Sequence, residues 1–182
     1  MLKPNTSLSL LHLPLTHSVT WNYNIPDPPL TADGETQARS IPNKYPFLFE
    51  SPRPLLVSSP LRRTLQTSLL GFNRNPLLHP GFQENSSKPC DTGSPPAVLR
   101  EEFPGLDFEL VVEGWDSKTG EWEPDEVSLA RRAAKMRKWL KDREEDEIVV
   151  VTHGGKDPDR DVLMKVSCCT LFRRLEGLRI LR

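Results

Sequence analysis

Two short segments hold the residue types of anion chemistry. In SSPLRRTLQT, residues 58–67, Arg62 and Arg63 follow an apolar run and a Ser-Pro step, which places both guanidinium groups in the first turn of a helix. A helix amino terminus offers unpaired N–H groups and partial positive charge, and an arginine adds a two-pronged donor, so the pair suits a phosphate. In VVVTHGG, residues 149–155, His153 ends a β-branched run and precedes Gly154 and Gly155. That puts an imidazole at the edge of a sheet, beside glycines that let the chain approach a ligand closely. Plainer readings stand beside both: an arginine pair on a solvated helix face, and a histidine that merely closes a strand.

The elements that must position these residues alternate between strand and helix. Leu8–Leu13 reads as a short apolar strand ending at Pro14, and Thr31 as the cap of a helix that runs through Ala38 until Pro42 stops it. Pro54–Ser58 (PLLVS) is a second buried strand. Ser59 then caps a helix with Pro60 in its first position, Leu61, Leu65 and Leu69 along its apolar face, and Gly71 closing it. Asn73–Val98 is rich in Pro, Gly, Ser and Asn and reads as a loop, too long for a mere connector. A helix follows from Asp125 to about Arg143, with Leu129, Ala133, Met136 and Leu140 on one face and its charges on a solvated one. Glu147–Thr152 has the continuous β-branched character of a central strand covered on both sides. This order predicts a three-layer α/β/α domain with a mostly parallel sheet and helices on both faces. Ligands of such sheets bind beyond the carboxyl ends of the strands, where Ser58 and His153 both fall.

With 182 residues the chain suffices for one domain, and a formal net charge of −1 removes the electrostatic case for nucleic acid or a membrane surface as partner. Any anion site is therefore local. Cys90, Cys168 and Cys169 cannot all pair, and two are sequence neighbours, so a reducing, cytoplasmic setting is expected. No cysteine or histidine stands at ligand spacing from Cys168 and Cys169, so no metal site is read there.

Taken together, SSPLRRTLQT, TADGETQA and EIVVVTHGG resemble the motifs of the histidine phosphatase superfamily, the phosphoglycerate mutase-like proteins. IPDPPLT, QENSSKPCDTGSPP, LREEFP and WDSKTGEW resemble a fungal branch of it. The likeness covers roughly Leu8 to Gly155, and implies a domain over 1–155 followed by a divergent tail over 156–182. In that family a histidine of an Arg-His-Gly turn attacks phosphorus, two arginines and a second histidine hold the equatorial oxygens, and a carboxylic acid protonates the leaving oxygen. This is covalent catalysis with a preorganised positive clamp, needing neither metal nor cofactor. Carried over by motif, Arg63 is the clamp with Arg62 as its neighbour, His153 the second histidine and Glu84 the acid. The implied partner is a small phosphorylated substrate or phosphate anion. Substrate identity and oligomeric state stay open.

Two departures qualify the likeness. LLHLPLTHSVTWNYN has no Arg-His turn. Either Thr16-His17-Ser18 stands in its place, which makes His17 the nucleophile, or His17 matches a later, noncatalytic histidine and a stretch holding the Arg-His turn is missing. The second register keeps the downstream segment continuous and is preferred. After Gly155, KDPDRDVLMKVSCCTLFRRLEGLRILR replaces the family's apolar continuation; a helix from about Asp161, with Val162, Val166 and Cys169 on one side, is the reading its spacing allows. A diverged or mis-spliced frame accounts for both. The expected protein is an impaired phosphomonoesterase or phosphoryl-transfer enzyme, with a noncatalytic phospholigand-binding relative as the alternative.

Overall fold

The computed structural model describes residues 23–49, 54–153, 169–173 and 179–180, the last two stretches by their backbone. The strand read at Leu8–Leu13, His17 and the body of the helix read from Asp161 lie outside them. Five strands make one sheet in the order β2-β1-β3-β4-β5. They are β1 (Leu55–Ser58), β2 (Leu77–Leu78), β3 (Glu147–Val151), β4 (Cys169–Arg173) and β5 (Arg179–Ile180). β1 runs parallel to both β2 and β3, with Val57 opposite Leu77 on one side and Val150 on the other. β4 pairs antiparallel with β3, and β5 with β4. Cys169 thus lies in a strand, not on a helix.

β3 sits at the centre because it is apolar on both faces. Val149 and Val151 cluster with Leu56 of β1 and with Ile41, Leu48 and Phe72. Ile148 and Val150 cluster with Val57, Phe82 and Leu140. The period of two in a strand thus sends alternate residues to two helical layers. On the first face lie α2 (Ile41–Lys44) and the end of α3 (Arg62–Phe72); on the second lies α5 (Glu126–Lys141). A third cluster joins Leu61, just before α3, and Leu65 of α3 to Leu78, to Leu99 of α4 (Pro96–Glu102), and to Trp115. Helices on both faces of a sheet parallel through β2, β1 and β3 make this an α/β fold. No described helix is long and apolar enough to cross a membrane.

Several boundaries differ from the sequence reading, each for a local reason. Thr31 caps α1 (Ala32–Arg39) by accepting from the Gly34 N–H, as expected, but the helix ends at Ser40, and Pro42 opens α2 instead of stopping α1. Ser59 does not cap α3: its N–H bonds the Val151 carbonyl and extends the sheet ladder, so the helix begins at Arg62. Gly71 does not close α3 either. A Cβ there would stand 2.7 Å from Ile41 Cδ1 and 3.1 Å from the Ala38 carbonyl, so glycine serves close helix packing, and Asn73, at φ 49°, ends the helix. Asn73–Val98 is not a bare loop, because it holds β2, two 3₁₀ turns and the start of α4. A two-residue strand between prolines is too short to leave a pattern.

Candidate functional site

The parallel strands bring three segments to one edge of the sheet. Ser59 follows β1, Glu84 follows β2 and His153 follows β3, all beyond carboxyl ends. One side-chain and one backbone hydrogen bond lace these ends together: the Thr152 hydroxyl donates to the Phe82 carbonyl at 2.8 Å, and the His79 backbone N–H to the Ser58 carbonyl at 3.0 Å. His153, buried, has Nε2 at 2.9 Å from Ser59 Oγ and Nδ1 at 3.8 Å from Glu84 Oε2. Burial, together with the positive charges of Arg63, Lys118 and Arg132, holds the His153 imidazole well below its usual proton affinity. It is therefore neutral, with one ring N–H to donate.

Arg63 reaches into the same place. Its NH2 lies 3.7 Å from Glu84 Oε2 and 3.2 Å from Asp91 Oδ1, and its NH1 donates to the Cys90 carbonyl at 2.7 Å. Burial pushes the Glu84 carboxyl above the usual range; the nearby Asp91 adds to this, while Arg63 and Lys118 oppose it. A carboxyl that keeps its proton longer, between a guanidinium and an imidazole, has the placement of a general acid.

Of the residues singled out from the sequence, the fold brings Arg63, Glu84 and His153 together, and it turns Arg62 elsewhere. Arg62 donates from Nε to Glu102 at 2.6 Å and from NH1 to Ser94 Oγ at 2.6 Å and the Asp27 carbonyl at 3.2 Å. Its backbone N–H, at the start of α3, is taken by Asp27 Oδ1 at 3.0 Å. Asp27, fully buried and at φ 39°, also accepts from the Ser94 N–H at 3.1 Å. Arg62 and Asp27 therefore brace the helix start against two loops, and Arg63, one position on, faces the site. His17 lies outside the described residues.

Two cations beside the site were not legible as such. Lys118, 7% exposed, donates from Nζ to the Glu84 carbonyl at 2.7 Å. Arg132, 4% exposed, donates from NH2 to the Gln83 carbonyl at 3.1 Å and to Asn85 Oδ1 at 2.8 Å. The reading of the α5 charges as a solvated face is thus corrected at Arg132. It stands three residues after Leu129 and four before Met136, on the border of the apolar stripe, which is the signal that could have found it. Lys118 lies in WDSKTGEW at φ 55°, a conformation with no sequence signature outside glycine and asparagine.

Comparison with known proteins adds to this geometry. Over 71 residues, 37% of this chain and 20% of the other, it is 41% identical to phosphoglycerate mutase-like protein 2 of Arabidopsis thaliana. To phosphoglycerate mutase-like protein 1 of the same plant it is 30% identical over 137 residues, covering 56% of this chain and 48% of that protein. The chain thus spans half or less of the length of these curated relatives. The crystal structure of TTHB049 from Thermus thermophilus aligns over 86% of this chain and 84% of its own, with a TM-score of 0.45 and 20% identity. The model of the histidine phosphatase superfamily (branch 1) matches residues 18–156, a span that holds Arg63, Glu84 and His153 and begins just after His17. By that match over most of its length, the chain belongs to the histidine phosphatase superfamily.

Proposed function

We propose that this chain is a phosphomonoesterase or phosphoryl-transfer protein whose site is formed by Arg63, Glu84 and His153, and whose turnover is impaired. One observation carries the reading: Glu84 Oε2 stands 3.7 Å from the Arg63 guanidinium and 3.8 Å from His153 Nδ1, so a fixed cation, a ring N–H donor and a proton-retaining acid converge. A phosphoryl group seated there takes its oxygens' hydrogen bonds from Arg63 and His153. The arriving negative charge raises the proton affinity of His153, and Glu84 passes its proton to the leaving oxygen as the P–O bond breaks. The attacking nitrogen is the weak part. His17 supplies it only in the register where Thr16-His17-Ser18 stands for the Arg-His turn; in the preferred register that turn is missing, and the first arginine of this chain is Arg39. The same observation favours a second reading, a relative that binds a phosphorylated ligand without turnover.

Calorimetric titration with phosphate or vanadate tests the pocket. Binding is expected, and Arg63→Ala should weaken it by about 1–3 kcal/mol, the scale of a charge-assisted hydrogen bond. Unchanged affinity in that variant refutes the pocket. Turnover of an aryl phosphate tests the chemistry. The rate should lie orders of magnitude below that of an intact relative, since a reacting group misplaced by about 1 Å can cost on the order of 100-fold. A segment carrying Arg-His inserted between Leu13 and His17 should raise it. Brisk turnover that His17→Ala abolishes, with phosphohistidine trapped at His17, would show the site unimpaired. Binding with no phosphohistidine at all would establish the second reading.

A further inference from the structure

We propose that Lys118 and Arg132 are positioning residues for Glu84, a pair of buried cations that hold its own carbonyl and the residues on either side of it and aim its carboxyl group at Arg63 and His153. The functional meaning rests on the phosphomonoester reading above; the geometry does not. Three consecutive residues are held. Arg132 binds the Gln83 carbonyl and the Asn85 side chain, and Lys118 binds the carbonyl of Glu84 between them. The Gln83 side chain is fixed in turn, donating from Nε2 to the Trp115 carbonyl at 2.8 Å, and Trp115 is fully buried.

The arrangement is costly, and the cost identifies it as something other than ordinary packing. A buried ammonium or guanidinium is normally matched by a carboxylate in direct contact, because desolvation otherwise exceeds the gain. Lys118 and Arg132 instead spend their direct hydrogen bonds on backbone carbonyls and one amide, and Arg132 Nε finds no acceptor among the described residues. Burial accordingly lowers the proton affinity of both, Lys118 to about 8 and Arg132 to about 10. Lys118 also occupies the left-handed region at φ 55°, which costs a non-glycine residue about 1–2 kcal/mol. A strained backbone at Lys118 and two buried cations with no carboxylate in direct contact among the described residues thus serve residues 83–85, whose one acidic side chain is Glu84. Lys118 and Arg63 favour the charged form of its carboxyl against the effect of burial, and both also face the Asp91 carboxylate.

The test reads the Glu84 carboxyl itself, by side-chain ¹³C NMR titration of the full chain, and needs neither ligand nor turnover. In Lys118→Met the Glu84 midpoint should rise by about half to one pH unit, because a positive neighbour is gone, and Lys118→Arg should restore it. Lys118→Gly relieves the left-handed backbone while deleting the ammonium. It should therefore stay folded and show the same rise, which keeps the test decisive if the methionine variant fails to fold. A Glu84 midpoint unmoved in folded Lys118→Gly, or moved equally in Lys118→Arg, overturns the proposal and leaves Lys118 a packing residue. Failure of phosphate or vanadate to bind the unaltered chain would instead count against the proposed function, and would leave this titration as it stands.

Discussion

Replacing Asp91 by Asn should tighten the binding of phosphate or vanadate, because Asp91 competes with the ligand for Arg63. Asp91 Oδ1 lies 3.2 Å from Arg63 NH2, while its Oδ2 is held by the Ser86 hydroxyl at 2.5 Å. A phosphoryl group approaching Arg63 must share the guanidinium with this carboxylate and bear its repulsion. Two unit charges 4 Å apart interact by about 1 kcal/mol in water and about 4 kcal/mol at an effective dielectric near 20. The side chains of Arg63 and Asp91 are 23% and 20% exposed, so solvent and salt screen part of this, and about 1 kcal/mol is the expected net effect. Asparagine keeps an oxygen for Arg63 and Ser86, so Arg63 stays placed. Calorimetry at fixed ionic strength should then show about five-fold tighter binding in Asp91→Asn, with Arg63→Ala as the weak-binding reference. The gain should shrink as salt is raised. Weaker binding in Asp91→Asn would refute the reasoning, since it would mean that the carboxylate orients Arg63 for the ligand instead of occupying it.

Acid should destabilise the protein through His79, whose proton affinity burial lowers to about 4. The unfolded chain binds that proton near pH 6.5, so between the two values it holds more protons than the native state, and stability falls as pH falls, by about 2–3 kcal/mol from this residue. Denaturant titrations at pH 7 and pH 5 should show a smaller difference in His79→Asn, where the amide oxygen can replace Nδ1 as acceptor for the Gly81 N–H; an unchanged difference would acquit His79. Gly93→Ala should cost about 2–3 kcal/mol in the same assay, because the new methyl would stand 2.2 Å from the Trp115 ring, which is fully buried and tied by Nε1 to the Ser94 carbonyl. At Gly81→Ala the nearest atoms all belong to the flexible Met136 side chain, so the cost should be less; equal losses would show that rigidity of the neighbour is not what decides.

The sheet and its helices were legible because each element carries its own period. EIVVV announces a strand covered on both faces, and Leu129, Ala133, Met136 and Leu140 announce α5; both elements stand where those patterns put them. Boundaries were less legible where the deciding partner is remote. Nothing in SSPLRR says that Ser59 would extend the ladder through Val151, or that a carboxylate 35 residues upstream would take the Arg62 N–H. The local rule that Ser and Pro open a helix lost to a bond made across the fold.

The same division separates Arg63 from Arg62, Lys118 and Arg132. The family resemblance selects Arg63; spacing alone puts Arg62 and Arg63 together in the first turn of a helix after a strand, because strand, turn and helix are contiguous. Whether a neighbouring cation is spent or available depends on loops closing over much longer distances. Asp27 reaches Ser94 across 67 positions, Lys118 reaches Glu84 across 34, and Arg132 reaches Gln83 across 49. Those closures are decided by where buried charge finds a hydrogen-bond partner: Arg62 is bound to Asp27, Ser94 and Glu102, Lys118 and Arg132 to residues 83–85, and Arg63 to Cys90 and Asp91. Charge alone would have counted all four as anion ligands. Among the described residues, Arg63 is the one cation of the four at ion-pair distance from both the Glu84 and the Asp91 carboxyl groups, so on the proposed reading the affinity of the site should answer to those carboxylates as much as to the cations.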